Sequence, residues 1–216
     1  VKYYYVQTDG RVFLVKDGSK LRLPKKEELP FTVREAATMK LNGNDVIWCD
    51  SKKCEGSGWI CRDDVLTSNT YNIDELAKLA AIKSYPRVTA GVFLVNGSKV
   101  LLVKPNMGMA KDKWIAPGGF VEYGESPEET VKREAEEETG LVVKDVELLS
   151  VEKARYESTN YHFITVFFTG KCEGEPKRKE DEIGEIKWVP IKDAAKLSTE
   201  SANQSALGRL ARKVNA

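Results

Sequence analysis

Residues 124–141 read GESPEETVKREAEEETGL. Ser126 is a good helix N-cap, Pro127 suits a first helical turn, and Glu129 lies three residues after Ser126, completing a capping box. Gly140 suits the left-handed residue that ends a helix. The spacing therefore predicts a helix over 127–139, bounded at both ends by its own residues. Glu128 and Glu129 favour the positive N-terminal end and need no other explanation. Glu134, Glu137 and Glu138 do need one. They fall at i, i+3 and i+4, on one helical face, near the end where the dipole disfavours them. Like charges at that spacing cost about 0.2–0.5 kcal/mol per pair. Either the run is a solvated face or something positive sits among the carboxylates. Oxygen ligands in this arrangement suit Mg²⁺ or Mn²⁺, which take carboxylates together with water and phosphate oxygens. Glu136 points away from that face and reads as solvated. Arg133, four residues before Glu137, is placed to restrain carboxylates that a metal does not hold.

Outward from the helix, strands alternate with helices. RVTAGVFLVNGSKVLLVK (87–104) is two apolar runs around Asn96-Gly97, a hairpin signal. KWIAPGGFVE (113–122) reads as a strand broken by Pro117-Gly118-Gly119. VELLSVEKARYE, YHFITVFFTG and EIGEIKWVPI read as strands, the second apolar enough to be central, and residues 191–214 hold one or two helices. This interleaving indicates a mixed sheet with helices packed on it. The first third differs. YYYVQTDGRVFLVKDG is two strand-like runs joined by Asp9-Gly10, and KLRLP, DVIWCD and GWICRDDVL read as further strands. Asn72 or Asp74 is placed to cap a short helix through ELAKLAAI, which Pro86 prevents from continuing. The expected division is a small β-rich domain over 1–80 and a second domain over 85–216.

The chain has 216 residues and a net charge of +1, so no global field draws it to nucleic acid or membrane. No apolar run approaches the ~18 residues of a membrane span, and VKYYYVQTDG lacks the apolar core of a signal peptide, so cytoplasm is the expected location. Cys49, Cys54 and Cys61 are separated by four and six residues rather than arranged in C-x-x-C pairs. Together with Cys172 they read as reduced or buried thiols, and zinc is the less favoured reading. His162, the only histidine, sits in an apolar strand and reads as packed or hydrogen-bonded. Lys104 and Lys113 flank the 105–112 loop near the helix and are candidate phosphate contacts, against the ordinary reading as surface lysines.

Gly119, five residues, Glu125, seven residues, then Arg133-Glu134-Ala135-Glu136-Glu137-Glu138-Thr139-Gly140-Leu141 resembles the Nudix box, G-x5-E-x7-R-E-U-x-E-E-x-G-U, where U is bulky and aliphatic. Every fixed letter matches, although Ala135 is small for the first U. The Trp114 and Gly118-Gly119 lead-in and the stretch DEIGEIKWV resemble the same family. The resemblance implies an α/β/α sandwich with a mixed sheet and hydrolysis of a diphosphate that joins a nucleoside to another group X. It implies that Glu134, Glu137 and Glu138 bind divalent metal, Mg²⁺ or Mn²⁺, and that Glu134 is the general base in some members. Glu125 and Arg133 would support the site, Gly118 and Gly119 would shape the substrate loop, and Glu182 would match a late acidic ligand or base.

The substrate stays open at this level. Ser84-Tyr85-Pro86-Arg87-Val88 is similar to the entry into the Nudix domain of NADH pyrophosphatases, but that group's paired cysteines and SQPWPFP-type motif are absent. A nucleoside diphosphate derivative such as ADP-ribose or NADH leads, and a (d)NTP pyrophosphohydrolase or a non-catalytic nucleotide sensor are the alternatives. Residues 1–80 are read as a homodimer interface, an active-site cover or a recognition element for X. RNA or DNA contact through KYYY and LRLPKK is disfavoured by the near-neutral charge.

Overall fold

The computed structural model describes residues 1–214 apart from 53, 55, 68 and 157–160, with the side chains of residues 155 and 156 left aside. The chain forms two compact units, one of Val1–Pro86 and one built from Arg87 onward.

In the first unit β1 (Lys2–Thr8), β2 (Arg11–Phe13), β3 (Val15–Asp17), β4 (Lys20–Arg22), β5 (Arg34–Leu41), β6 (Asn44–Asp50) and β7 (Trp59–Cys61) precede α1 (Arg62–Thr67) and α2 (Glu75–Ser84). Five of these strands form one sheet in the order β5-β6-β1-β2-β7, and β3 pairs with β4. Asp9 and Gly10 form the turn between β1 and β2, both with left-handed φ (48° and 67°), as a primed two-residue hairpin requires. Alternation along β1 sends Tyr5 to a core shared with Ala77, Ala80 and Ala81 of α2, and Tyr4 and Val6 to a second core with Phe13 and Trp59. Asp74 is the residue that caps α2, accepting from the Leu76 amide at 2.9 Å. The reading of GWICRDDVL as a strand is corrected. Only Trp59–Cys61 is extended, and Asp63 and Asp64 lie in the first turn of α1, beside its positive end.

The second unit holds β8 (Arg87–Asn96), β9 (Lys99–Pro105), β10 (Gly118–Phe120), α3 (Pro127–Thr139), β11 (Val142–Tyr156), β12 (Tyr161–Glu173), β13 (Ile183–Pro190), α4 (Ile191–Leu197) and α5 (Ser201–Val214). The sheet order is β11-β12-β8-β9-β13, with β10 added to β8. β12 runs parallel to β8 while β9, β10 and β13 pair antiparallel, so the sheet is mixed, in an α/β/α sandwich. The β8–β9 hairpin forms, but Asn96 pairs with Lys99, so its turn is Gly97–Ser98, one residue beyond the expected dipeptide. Gly97 takes φ 58°, the conformation a first turn residue of this kind needs. His162 is exposed, correcting the packed reading. Alternation along β12 turns it outward and buries Phe163.

Two features of this sheet position a site. Val131, Ala135 and Leu141 pack on Ala90, Val92, Leu94 and Leu101, which seats α3 on one face. Ala135 is fully buried, so the small residue at that box position is a core contact where a bulkier one would need more space. The hairpin ladder of β8 and β9 covers only Val95↔Val100 and Asn96↔Lys99. Beyond it the strands part. β9 continues with β13, and β8 takes β10 through Gly118↔Gly91, Gly119↔Ala90 and Phe120↔Thr89. The expected strand over 113–122 is corrected: only Gly118–Phe120 is a strand, both glycines belong to it, and before Pro117 Ile115 makes a single bridge to Val103.

Gly118 tolerates no side chain. A Cβ there would overlap the Ala90 carbonyl oxygen and stand 2.7 Å from Gly91 Cα, both of them backbone atoms. Gly118→Ala is expected to cost roughly 1–3 kcal/mol or more, as overpacking does. Thermal melts should show a fall of several degrees, and an unchanged melt would contradict this packing.

Candidate active site

The gap between β8 and β9 opens into a cavity of about 420 Å³. Phe120, Phe163 and Phe167 give it aromatic walls, and Met107 and Met109 of the 105–112 loop close one side. Three carboxylates line it, Glu138, Glu182 and Glu200. Only the first two were legible as site residues.

The box helix is built as its sequence dictates. Ser126 Oγ accepts from the Glu129 amide at 3.3 Å, Glu129 returns a bond from the Ser126 amide at 2.8 Å, and Gly140 ends the helix at φ 68°. Glu138 is 8% exposed, and its Oε2 accepts from the Gly118 amide at 3.0 Å. Burial, then the neighbouring charges of Glu134, Glu182 and Glu137, push its carboxyl up to about 8. Glu134 is mostly covered, and burial raises it as well, against the opposing pull of Arg133. Its carboxylate lies directly over Gly119, in the space a Cβ would take. Glu137 is 47% exposed at the rim. Glu136 faces solvent, as its position predicts.

Arg133 organises these groups. Its Nε and Nη2 grip Glu125 at 2.7 and 3.0 Å, a bidentate pair, and its Nη1 donates to Glu134 at 2.9 Å and stands 3.6 Å from Glu137. The Arg133 bond, with a second from Thr130, holds the Glu125 carboxyl down at about 2. Glu125 is therefore an anchor for Arg133 rather than a free group.

The two lysines are not brought into the cavity. Lys104 pairs with Glu185 at 3.0 Å, and Lys113 is absent from the cavity lining. Lys179, which the sequence did not single out, donates to Glu182 at 2.7 Å, and its amide donates to the Glu138 carbonyl at 3.1 Å. The other residues missed are Glu200 and Asn203, 6% and 7% exposed. LSTESANQ carries no periodic signal for them, since Glu200 caps the amides at a helix start and Asn203 takes the distant Ala116 amide.

The donor set fits a hard divalent cation. It gathers acidic oxygens on one face, and burial raises the carboxyls of Glu134 and Glu138. Among the described residues no three such groups converge on one point; Arg133 holds Glu125 and Glu134, the Gly118 amide holds Glu138, and Lys179 holds Glu182. None of the four cysteines is in a disulfide; Cys49 is buried and Cys61 exposed.

Two predictions follow from adjacent observations. A Cβ on Gly119 meets only the movable end of Glu134. Gly119→Ala is therefore expected to leave the melt within about 0.5 kcal/mol of the parent, as a surface change would, while turnover falls at least tenfold. A loss of stability matching the loss of turnover would refute that separation. The second concerns pH in metal-free protein. A carboxyl raised to about 8 stabilises the fold fully below its unfolded value of about 4.3, and this contribution is lost as pH rises through 8. Glu138→Gln, neutral throughout, should melt above the metal-free parent at pH 8.5, with the difference vanishing near pH 4. Equal melts at both pH values would show that the buried charge carries no such penalty.

Comparison with known proteins agrees with this geometry. The NUDIX domain model matches residues 85–209. An ADP-ribose pyrophosphatase of Methanocaldococcus jannaschii is 32% identical over 114 residues, 53% of this chain and 68% of that protein. The 8-oxo-dGTP diphosphatase of Escherichia coli is 37% identical over 98 residues, 44% of this chain and 72% of that protein. The crystal structure of a MutT NUDIX hydrolase from Burkholderia pseudomallei superposes with a TM-score of 0.54 at 27% identity, covering 59% of this chain and 99% of that one. Several further curated relatives are spanned over less than half of their own length. Since the matched domain occupies more than half of its residues, the chain belongs to the Nudix family, hydrolases of phosphorus anhydrides that depend on divalent metal.

Proposed function

We propose that this chain hydrolyses the diphosphate linkage of a nucleoside diphosphate derivative of the ADP-ribose or NADH type, with Mg²⁺ as its cofactor and Mn²⁺ able to replace it. The observation that carries this reading is the meeting of the box-helix carboxylate Glu138 with an aromatic-lined cavity. Phe120, the exposed ring among the aromatic lining, is the candidate to stack on a base, and Glu138 and Glu182 line the same space. Glu134, Glu137 and Glu138 are the residues to hold the metal. Bound there, it would neutralise phosphoryl oxygens and supply an activated water. Glu134 and Glu182 are the candidates for taking the proton from water. Burial of Glu134 raises its affinity for a proton in the direction a base needs. Arg133 keeps the carboxylates apart and aimed, anchored by Glu125. Gly118 and Gly119 let the strand lie against β8 and the Glu134 carboxylate.

The pyrophosphatase of Methanocaldococcus jannaschii supports an ADP-ribose substrate, and its name is what ranks this reading first. A (d)NTP pyrophosphohydrolase is the second reading, favoured by the 37% identity to the 8-oxo-dGTP diphosphatase. Among the described residues no helix is long and apolar enough to cross a membrane.

Phosphate-product release from ADP-ribose, NADH, Ap4A, CoA and (d)NTPs, each with Mg²⁺ or Mn²⁺, tests both readings. ADP-ribose or NADH should be turned over fastest, and Glu137→Gln should lower kcat by about 10²–10⁴, the range for losing a group acting in the transition state. Preference for a (d)NTP would select the second reading. Tight nucleotide binding with no turnover of any compound would overturn both.

A further inference from the structure

The backbone from Ile115 to Phe120 changes partners. Ile115 exchanges both of its hydrogen bonds with Val103 of β9, whereas Gly118 begins the ladder with β8. Between them Pro117 has no N–H, and its carbonyl accepts from the Val92 amide at 3.0 Å. Two amides at this crossover, the buried one of Ala116 and the half-buried one of Gly118, have no strand partner, and side chains from two different helices take them. Ala116 donates to Asn203 Oδ1 at 2.8 Å, and Gly118 donates to Glu138 Oε2 at 3.0 Å. Asn203 is itself held. Its Nδ2 donates to Glu200 Oε2 at 2.8 Å, and Glu200 caps α5 by accepting from the Ala202 and Asn203 amides at 3.2 and 2.8 Å. Glu200 and Asn203 are both nearly fully buried and both line the cavity.

We propose that Asn203, locked by Glu200 at the start of α5, is a positioning residue for the metal-binding carboxylates: through the Ala116 amide it fixes the crossover that holds Glu138 and carries Gly119 beneath Glu134. A buried amide without an acceptor must find one by moving. Loss of the Asn203 carbonyl frees Ala116, and Gly118, two residues on, carries the displacement to Glu138. α3 keeps its own caps and core, so the displacement reaches the carboxylates while the box helix stays folded. This inference rests on the metal-dependent reading of the site.

The test uses the full chain and two measurements, Mn²⁺ affinity by electron paramagnetic resonance without substrate, and kcat and KM on the preferred nucleotide. Asn203→Ala should weaken Mn²⁺ at least fivefold and lower kcat at least tenfold, with KM within twofold of the parent. The double variant Glu200→Gln with Asn203→Asp restores an acceptor for Ala116 and reverses the side-chain bond between the two. It should recover Mn²⁺ affinity to within threefold. Should Asn203→Ala fail to fold, Glu200→Gln alone loosens the lock and should shift Mn²⁺ affinity in the same direction. A raised KM with unchanged kcat and Mn²⁺ affinity would overturn the proposal and make Asn203 a substrate contact. A lower melting temperature with all three constants unchanged would reduce it to a structural bond. Absence of Mn²⁺ binding in the parent would refute the metal-dependent reading itself, and this inference with it.

Discussion

The bond from the Gly118 amide to the buried Glu138 carboxylate is the constraint from which the second unit's working face is built. It joins the box helix to the strand that carries the box's first glycine, across 20 residues of sequence. A carboxylate taken out of water at this position costs free energy unless it is paired. One amide is a partial payment, and the carboxyl is still driven up to about 8. The remaining deficit lies where a divalent cation would be most stabilised. Without metal the carboxyl keeps its proton near neutral pH, and a divalent cation would offset the charge it gains on losing that proton.

Arg133 prevents that accumulation from dispersing the site. The carboxylates at positions 125, 134 and 137 all stand within reach of one guanidinium. Its planar fork fixes their directions as well as offsetting their charge, which a lysine at the same place would not do. Glu125 is drawn fully into this role, its carboxyl held near 2. Neighbouring residues in one motif therefore divide the work. Glu125 and Arg133 form a closed pair, Glu134 and Glu138 are desolvated, and Glu137 remains at the rim.

The first unit is stabilised by other means. Both faces of its sheet are covered, one by the alanine-rich side of α2 and the other by an aromatic group in which Phe31 stacks on Trp59 at 5.3 Å. Small residues on α2 allow close approach to the sheet, and the rings fill the opposite layer. Among the described residues the buried carboxylates, Glu138 and Glu200, both lie in the second unit. This contrast with the second unit follows from composition: the chain's acidic crowding is confined to the box and its surroundings.

Local chemistry carried much of the molecule by itself. Caps, glycine turns and apolar period defined α3, the Asp9-Gly10 and β8–β9 hairpins, and the strands of the mixed sheet, because each is set by residues within a few positions of one another. The box spacing placed Glu134, Glu137 and Glu138 on one face for the same reason. Where several weak local preferences competed, the sequence was less legible. β5, REAATMKL, is exposed over most of its length and buries only Leu41, and α1 follows β7 without a break in composition. Only tertiary structure decided which carboxylate is buried, that Lys179 rather than Lys104 faces Glu182, and that Glu200 and Asn203 stand in the cavity wall. Two of these placements depend on distant contacts, Glu138 with Gly118 across 20 residues and Asn203 with Ala116 across 87. No local preference encodes them, because the amides that these two side chains take are left without a strand partner only once β8 and β9 have parted.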